Sequence, residues 1–181
     1  MPASAQNLRD LHALHEQARS LRGALADRTF VQVRVSPLQR ARRTAELAGL
    51  FDHGIKSELD PDLVEVDYGR WEGKTTPQIR EELGHSWSLW SDGTEPGATP
   101  GENLDQVAAR VDRVLERARP LLADGDVALV AHGHMLRILT ARWLGFGPEK
   151  GALFPLATGR YGILGFEHDW PALTGWNTGC V

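Results

Sequence analysis

The chain has 181 residues, 41% hydrophobic and 24% charged, which is typical of a globular protein with one substantial core. Its formal net charge of −4 argues against general affinity for nucleic acid, so we expect no nucleic-acid partner. A single cysteine, Cys180, allows no internal disulfide, and the sequence has neither a signal-peptide pattern nor a long apolar run. These features predict a cytoplasmic protein that does not associate with membranes.

Hydrophobic residues recur along the chain with the periods of helices and strands in alternation. Residues 84–102 break the pattern, because they are rich in Gly, Ser, Thr, Pro and Trp, and they predict an irregular excursion. The expected elements, in chain order, are a helix over 8–27, a strand over 30–35, a helix over 37–48, a short helix over 77–83 with Thr76 as N-cap, a helix over 103–123, a strand over 126–131, a helix over 134–144, and strands over 161–167 and 172–176. This alternation favours a single α/β domain over residues 1–181, with a mainly parallel sheet that carries helices on both faces.

Two of the predicted strands lead directly into helices, and each junction presents a basic side chain. The apolar strand in the second half of the chain leads into His132 and Gly133. The first strand leads into Ser36, a candidate N-cap, and Arg40 follows one turn into the helix. Helix N-termini offer free backbone N–H groups to anions, and ligands of parallel sheets bind beyond the carboxyl ends of the strands. The two junctions therefore predict a site that handles phosphoryl groups.

Each of these residues also has a simpler interpretation. Arg40 alone would more often be solvated or paired with an acid, and His132 alone could hydrogen-bond a carbonyl at a strand end. The spacing of His132 and His134 is compatible with a metal site, but no acid or cysteine pattern accompanies them, so we expect no metal and no cofactor. Most tryptophans are expected in the core or at its rim. Trp87 and Trp90, inside the excursion, are the pair expected to touch a substrate.

Four segments, in order, resemble motifs of the histidine phosphatase superfamily, also called phosphoglycerate-mutase-like. They are Ser36-Pro-Leu-Gln-Arg-Ala-Arg-Arg-Thr-Ala, Leu63-Val-Glu-Val-Asp-Tyr-Gly-Arg-Trp-Glu-Gly, Pro100-Gly-Glu and Ala131-His-Gly. Each motif alone is weak, but four in the family's order over roughly residues 15 to 176 form a specific signal. The likeness is strongest to a small bacterial branch that contains acid phosphatases and phosphoglycerate mutases.

The resemblance implies a role for each candidate site residue. Arg40, His132 and Gly133 would bind the phosphoryl oxygens, and His132 would also neutralise charge that develops in the transition state. Glu65, in the acid-bearing loop, would protonate the leaving oxygen and later activate water. The expected ligand is therefore a small phosphorylated molecule.

The resemblance also implies a residue that this sequence does not supply. The nucleophile of the family is a histidine in an Arg-His-Gly triplet at the end of an apolar first strand, and the sequence contains no such triplet. His12 and His15 follow a helical pattern, so we do not expect either to replace it. Residues 1–10 would fill the place of the missing strand poorly, which favours a rearranged sheet or a homodimer over the family topology in a monomer.

Three functions from different classes are compatible with these residues. The first is a phosphomonoester hydrolase that transfers phosphoryl to a histidine and then to water, impaired because the nucleophile is absent from the sequence. The second is a non-catalytic relative that binds phosphorylated ligands, and the third is a scaffold. The trio of Arg40, Glu65 and His132 disfavours a scaffold, and the sequence does not separate hydrolysis from mutase-type phosphoryl transfer. Coding sequence upstream of Met1 would distinguish a truncated hydrolase from a binder.

Overall fold

The computed structural model describes residues 16–52, 54–94, 97 and 99–179. Helical residues 16–24 form α1. The later helices are α2 (Gln39–Leu47), α3 (Thr76–Leu83), α4 (Leu89–Asp92), α5 (Leu104–Ala118) and α6 (Gly133–Trp143), and the strands are β1 (Phe30–Val35), β2 (Lys56–Leu59), β3 (Asp126–Val130), β4 (Tyr161–Glu167) and β5 (Trp170–Thr178). Short 3₁₀ turns cover Pro61–Leu63, Arg119–Ala123 and Pro148–Leu153. No helix in these ranges is long and apolar enough to cross a membrane.

The first three strands form a parallel sheet in the order β2-β1-β3. Alternate residues of β3 contact different clusters, because successive side chains of a strand point to opposite faces. Leu129 packs against a core cluster formed largely by α5 and α6, whereas Ala128 and Val130 pack against a cluster formed by α1, β1 and α2. The sheet therefore carries helices on both faces, and the predicted α/β class is confirmed.

β3 lies at an edge of this sheet, although its sequence is that of an interior strand. Strands β4 and β5 form a separate antiparallel hairpin, and no sheet hydrogen bonds join β3 to β4 in the described ranges. Leu164 packs against the α5–α6 cluster and Tyr161 against the α1–α2 cluster, so β4 occupies the same layer as β3. All residues of β3 after Asp126 are only partly buried. The layer is thus interrupted between β3 and β4.

The expectation of a rearranged sheet or a homodimer depends largely on residues 1–10, which lie outside the described residues. Within the described ranges, no strand precedes Phe30. In the described residues, the parallel sheet has three strands with β1 at its centre, and the side of β3 that faces β4 has no sheet partner. Both alternatives therefore stay predictions.

Several boundaries differ from the sequence prediction for local reasons. The N-cap of α2 is Leu38 and not Ser36. The Ser36 hydroxyl instead accepts the backbone N–H of Leu38 at 3.3 Å. The N-cap of α3 is Thr75 and not Thr76, since the Gln78 side chain accepts the Thr75 N–H at 2.8 Å.

Two longer segments also differ from the prediction. The helix predicted over 103–123 ends at Ala118, and the chain continues as a 3₁₀ turn because Pro120 cannot donate a helical hydrogen bond. The described residues of the segment 84–102, which was predicted to be an irregular excursion, contain the single helical turn α4. This turn places Trp90 against the amino-terminal part of α6.

Candidate active site

His132 lies at the carboxyl edge of the parallel sheet, two residues after β3 and at the N-cap of α6. The residue is 7% exposed, and both nitrogens of its imidazole are hydrogen-bonded. Nδ1 accepts the Arg40 Nε–H at 3.0 Å, and Nε2 lies 2.8 Å from the Ser36 hydroxyl. Because β1 and β3 are parallel neighbours, the residues that follow them meet at one edge. The sequence-predicted pair, Arg40 and His132, is therefore in direct contact.

The surroundings of His132 keep its imidazole neutral. Burial lowers the pKa of His132 below its ordinary value, the positive charge of Arg40 lowers it further, and Glu65 acts in the opposite direction. With Nδ1 accepting from Arg40, the ring proton resides on Nε2 and is donated to Ser36. Ser36, completely buried, therefore fixes the orientation of His132. Sequence reasoning assigned Ser36 only to helix capping.

Arg40 and Gly133 leave space and donors for an anion. Arg40 is exposed in the first turn of α2, and only its Nε is hydrogen-bonded within the described residues, so both terminal amino groups are available. Gly133 is the exposed first residue of α6, and a Cβ built there would meet nothing within 4 Å. The positive end of the helix dipole and two guanidinium donors thus border open space, which is an arrangement that binds phosphate.

Glu65 reaches the same helix terminus from a loop about 70 residues earlier in the chain. Its carboxylate accepts the backbone N–H of Met135 at 3.0 Å and that of His134 at 3.4 Å. The N–H of Val66 is a third donor, at 3.0 Å. The negative charge of Glu65 acts on both histidines of α6. Glu65 is thus beside the Arg40–His132 pair, where it caps α6.

Tyr68 and His134, two further residues of this region, form a hydrogen-bonded pair that the sequence did not predict. The Tyr68 hydroxyl lies 2.6 Å from Nδ1 of His134. Desolvation by burial raises the pKa of Tyr68 above its ordinary value. The same cause lowers the pKa of His134. The sequence features that could have indicated this pair are the position of Tyr68, three residues after Glu65, and that of His134, two residues after His132. The described residues contain no cluster of three or more His, Cys, Asp or Glu that could hold a metal ion.

A cleft of about 530 Å³ opens beside Tyr68 and His134, between the loop that follows Glu65 and helices α3 and α4. Trp87 and Trp90, the pair that the sequence predicts to touch substrate, both line it. They differ in exposure, since Trp87 is buried and donates its Nε1–H to the Gly93 carbonyl at 3.2 Å, whereas Trp90 is half-buried. Trp90 is therefore the more accessible of the two.

The family model described as histidine phosphatase superfamily (branch 1) matches residues 14–179 of this chain. The chain belongs to that superfamily. Among curated relatives, an acid phosphatase of Mycobacterium tuberculosis is 39% identical over 133 residues. The match covers 74% of this chain and 61% of that protein, so the chain spans less than two thirds of its relative.

Solved structures agree with this assignment. The structure of open reading frame Rv3214 from Mycobacterium tuberculosis has a TM-score of 0.80 and 32% identity, covering 91% of this chain and 82% of that one. A mycobacterial glucosyl-3-phosphoglycerate phosphatase in complex with inorganic phosphate has a TM-score of 0.72 and 26% identity, covering 91% and 84% of the two chains. The fold is thus shared with phosphatases, while the roles of individual site residues stay predictions.

Proposed function

We propose that this protein is a phosphomonoester hydrolase of the histidine phosphatase type, in which phosphoryl passes to a histidine and then to water. The observation that carries the proposal is the contact between Arg40 and His132 at the N-terminus of α6, with Glu65 alongside. Similarity to an acid phosphatase, and to a phosphatase solved with phosphate, supports the same reaction class. The ligand is a small phosphorylated molecule.

Each side chain has a physical task in this reaction. The two free amino groups of Arg40 bind the non-bridging oxygens of the phosphoryl group, and the N–H of Gly133 adds a donor along the helix dipole. His132 accepts the Nε–H of Arg40 and thereby orients the guanidinium toward the charge that develops in the transition state. Glu65 delivers a proton to the leaving oxygen and later accepts one from water.

The attack on phosphorus is the step that the described residues do not supply. Both nitrogens of His132 are engaged, Nδ1 of His134 is bonded to Tyr68, and His85 and His168 are exposed away from these contacts. Loss of the nucleophile costs many orders of magnitude in turnover, although positioning and charge stabilisation leave a residual rate. We therefore propose that this chain hydrolyses phosphomonoesters slowly. The alternative, a non-catalytic binder of phosphorylated ligands, is favoured by the same observation.

Calorimetric titration with inorganic phosphate or vanadate tests the phosphate site. Arg40→Ala removes charge-assisted hydrogen bonds of about 1.5–3 kcal/mol and is expected to weaken binding by about 10- to 100-fold. Arg43→Ala is the matched control, because Arg43 lies on the same helix but pairs with Glu46 at 2.9 Å. Its affinity should stay near that of the wild type. Equal affinities of wild type and Arg40→Ala would overturn the assignment.

Turnover of a generic phosphomonoester separates the two candidate functions. A slow rate that Glu65→Gln abolishes supports the hydrolase, and complete inactivity with intact phosphate binding supports the binder. Turnover of about 1 per second or more, within the ordinary enzymatic range, would contradict the proposed impairment. Acid-labile phosphorylation mapped on the chain would then identify the nucleophile.

A further inference from the structure

The cleft beside the candidate phosphate site has walls unlike those of the phosphate site itself. Three of the six tryptophans of the chain line it, Trp71, Trp87 and Trp90, together with Tyr68. Its volume of about 530 Å³ lies in the range of small-molecule pockets. Aromatic walls favour flat, uncharged groups, because these bury apolar area and stack on the rings.

The charged side chains of the cleft are hydrogen-bonded to neighbours, and Lys74 is also paired with a side chain of opposite charge. Lys74 is paired with Glu82, and Arg80 donates its Nε–H to the Trp87 carbonyl at 2.9 Å. The carboxylate of Glu72 accepts the Tyr68 N–H at 3.1 Å. A second anionic group of a ligand would have to compete with Glu82 for Lys74 and with the Trp87 carbonyl for the Nε–H of Arg80. An uncharged ring fits the cleft better than a second phosphate does.

Trp90 is held in place by groups on α6 and on the segment after it. Its ring centroid is 5.3 Å from that of His134, and the Arg137 guanidinium lies 4.5 Å from the same ring. A Cβ added at Gly151 would be only 2.6 Å from the indole, so the ring lies directly against that glycine. The indole is thus a preorganised wall, which lowers the entropic cost of binding against it.

His134 links this wall to the phosphate site. The Tyr68 hydroxyl lies 2.6 Å from Nδ1 of His134, and burial lowers the pKa of His134, which favours the neutral ring with the phenol as donor. The ring proton is then on Nε2, which has no hydrogen-bond partner in the described part of the chain, and His134 lines the cleft. Its backbone N–H is bonded by Glu65, beside the Arg40–His132 pair. The Nε2–H of His134 is therefore a hydrogen-bond donor between the cleft and the candidate phosphate site.

We propose that this cleft binds the organic group of the phosphorylated ligand, and that this group is an uncharged aromatic ring packed on Trp90, with an oxygen near the phosphorus that accepts the Nε2–H of His134. The inference rests on the proposed function, since it assumes that Arg40 and His132 hold the phosphoryl group. It names a substrate class, aryl or arylmethyl phosphomonoesters, in preference to bisphosphates and small aliphatic phosphates.

Calorimetry with non-hydrolysable phosphonates tests the ring and the donor separately. Wild type is expected to bind benzylphosphonate about tenfold more tightly than methylphosphonate, because ring burial and stacking each contribute. Trp90→Ala should bring this ratio close to one. Trp170→Ala, which removes a tryptophan that is 78% exposed on β5, should leave the ratio unchanged. Gly151→Ala should lower the ratio by displacing the indole, while Gly23→Ala, with nothing within 4 Å of its Cβ, should not.

The proposed hydrogen bond from the Nε2–H of His134 is tested with a ligand that carries one additional oxygen as acceptor. α-Hydroxybenzylphosphonate should bind wild type about fivefold more tightly than benzylphosphonate, in line with one hydrogen bond, and His134→Phe should abolish that gain. A wild type without preference for the benzyl group, but with Arg40-dependent binding of inorganic phosphate, would overturn this inference and leave the proposed function intact. Absence of any phosphate binding would overturn both. Thermal melting of each variant verifies that it is folded.

Discussion

Glu65→Ala tests the carboxylate that joins the acid-bearing loop to α6. Its loss leaves the Met135 N–H, bonded at 3.0 Å, and the His134 N–H, bonded at 3.4 Å, without their acceptor at the helix terminus. The shorter, charge-assisted bond accounts for about 1.5–3 kcal/mol. The negative charge beside the helix N-terminus adds about 0.3–1 kcal/mol. The expected loss in the free energy of unfolding is therefore about 2–4 kcal/mol.

Urea unfolding followed by circular dichroism measures this loss. Glu65→Gln keeps one acceptor oxygen and removes the charge, so it should lose about half as much stability as Glu65→Ala. Glu72→Ala is the control, because Glu72 is an exposed carboxylate in the same loop that accepts a single N–H, from Tyr68. Its cost should stay within about 1 kcal/mol. If Glu65→Ala and Glu72→Ala have the same stability, the carboxylate of Glu65 does not hold α6.

Two further predictions concern stability. Asp60, whose side chain is 3% exposed, pairs with Arg34 and Arg117, so Asp60→Ala should cost about 3–5 kcal/mol in urea unfolding, against less than about 1 kcal/mol for Asp126→Ala in an exposed pair. The pKa values of both histidines of α6 lie below their ordinary value of 6.5, mainly through burial, so the unfolded chain takes up protons first as the pH falls. Stability should therefore decrease as the pH falls through about 6.5, where the histidines of the unfolded chain take up protons; an increase would contradict the shifts.

The parts of the structure that sequence predicted well are those set by local pattern. The sequence predicted the strands over 30–35 and 161–167, and β1 and β4 have these bounds to the residue. The placement of Arg40 and His132 at one sheet edge followed from a general rule, since parallel neighbouring strands end at one edge, whereas their direct contact was not predicted. This rule needs only the strand order and not the side-chain packing.

The parts that sequence did not reveal depend on contacts between distant segments. Glu65 caps a helix that begins 68 residues later, and nothing in the loop motif indicates its partner. Trp90 reaches α6 only because α4 forms within an otherwise irregular segment. The sequence predicted Ser36 as a helix N-cap, because a serine before a proline is typical of that position. Its buried contact with His132 is a tertiary one.

The interruption beside β3 connects the stability of the sheet with the proposed phosphatase activity. In the part of the chain that the structure describes, β3 has no sheet partner on the side of β4, and the apolar side chains of both strands are partly exposed, as at an open sheet edge. A segment inserted parallel to β3 would end beside His132, where the family resemblance implies a nucleophilic histidine.

A synthetic peptide of about eight apolar residues followed by Arg-His-Gly is a direct test of that link. It should raise both the melting temperature and the phosphatase rate, because it pairs the edge and supplies the attacking imidazole. The same peptide ending in Arg-Ala-Gly should raise the melting temperature alone. Equal rates with the two peptides would show that the gap beside β3 does not receive the nucleophile, and an unchanged melting temperature with both would show that it receives no strand.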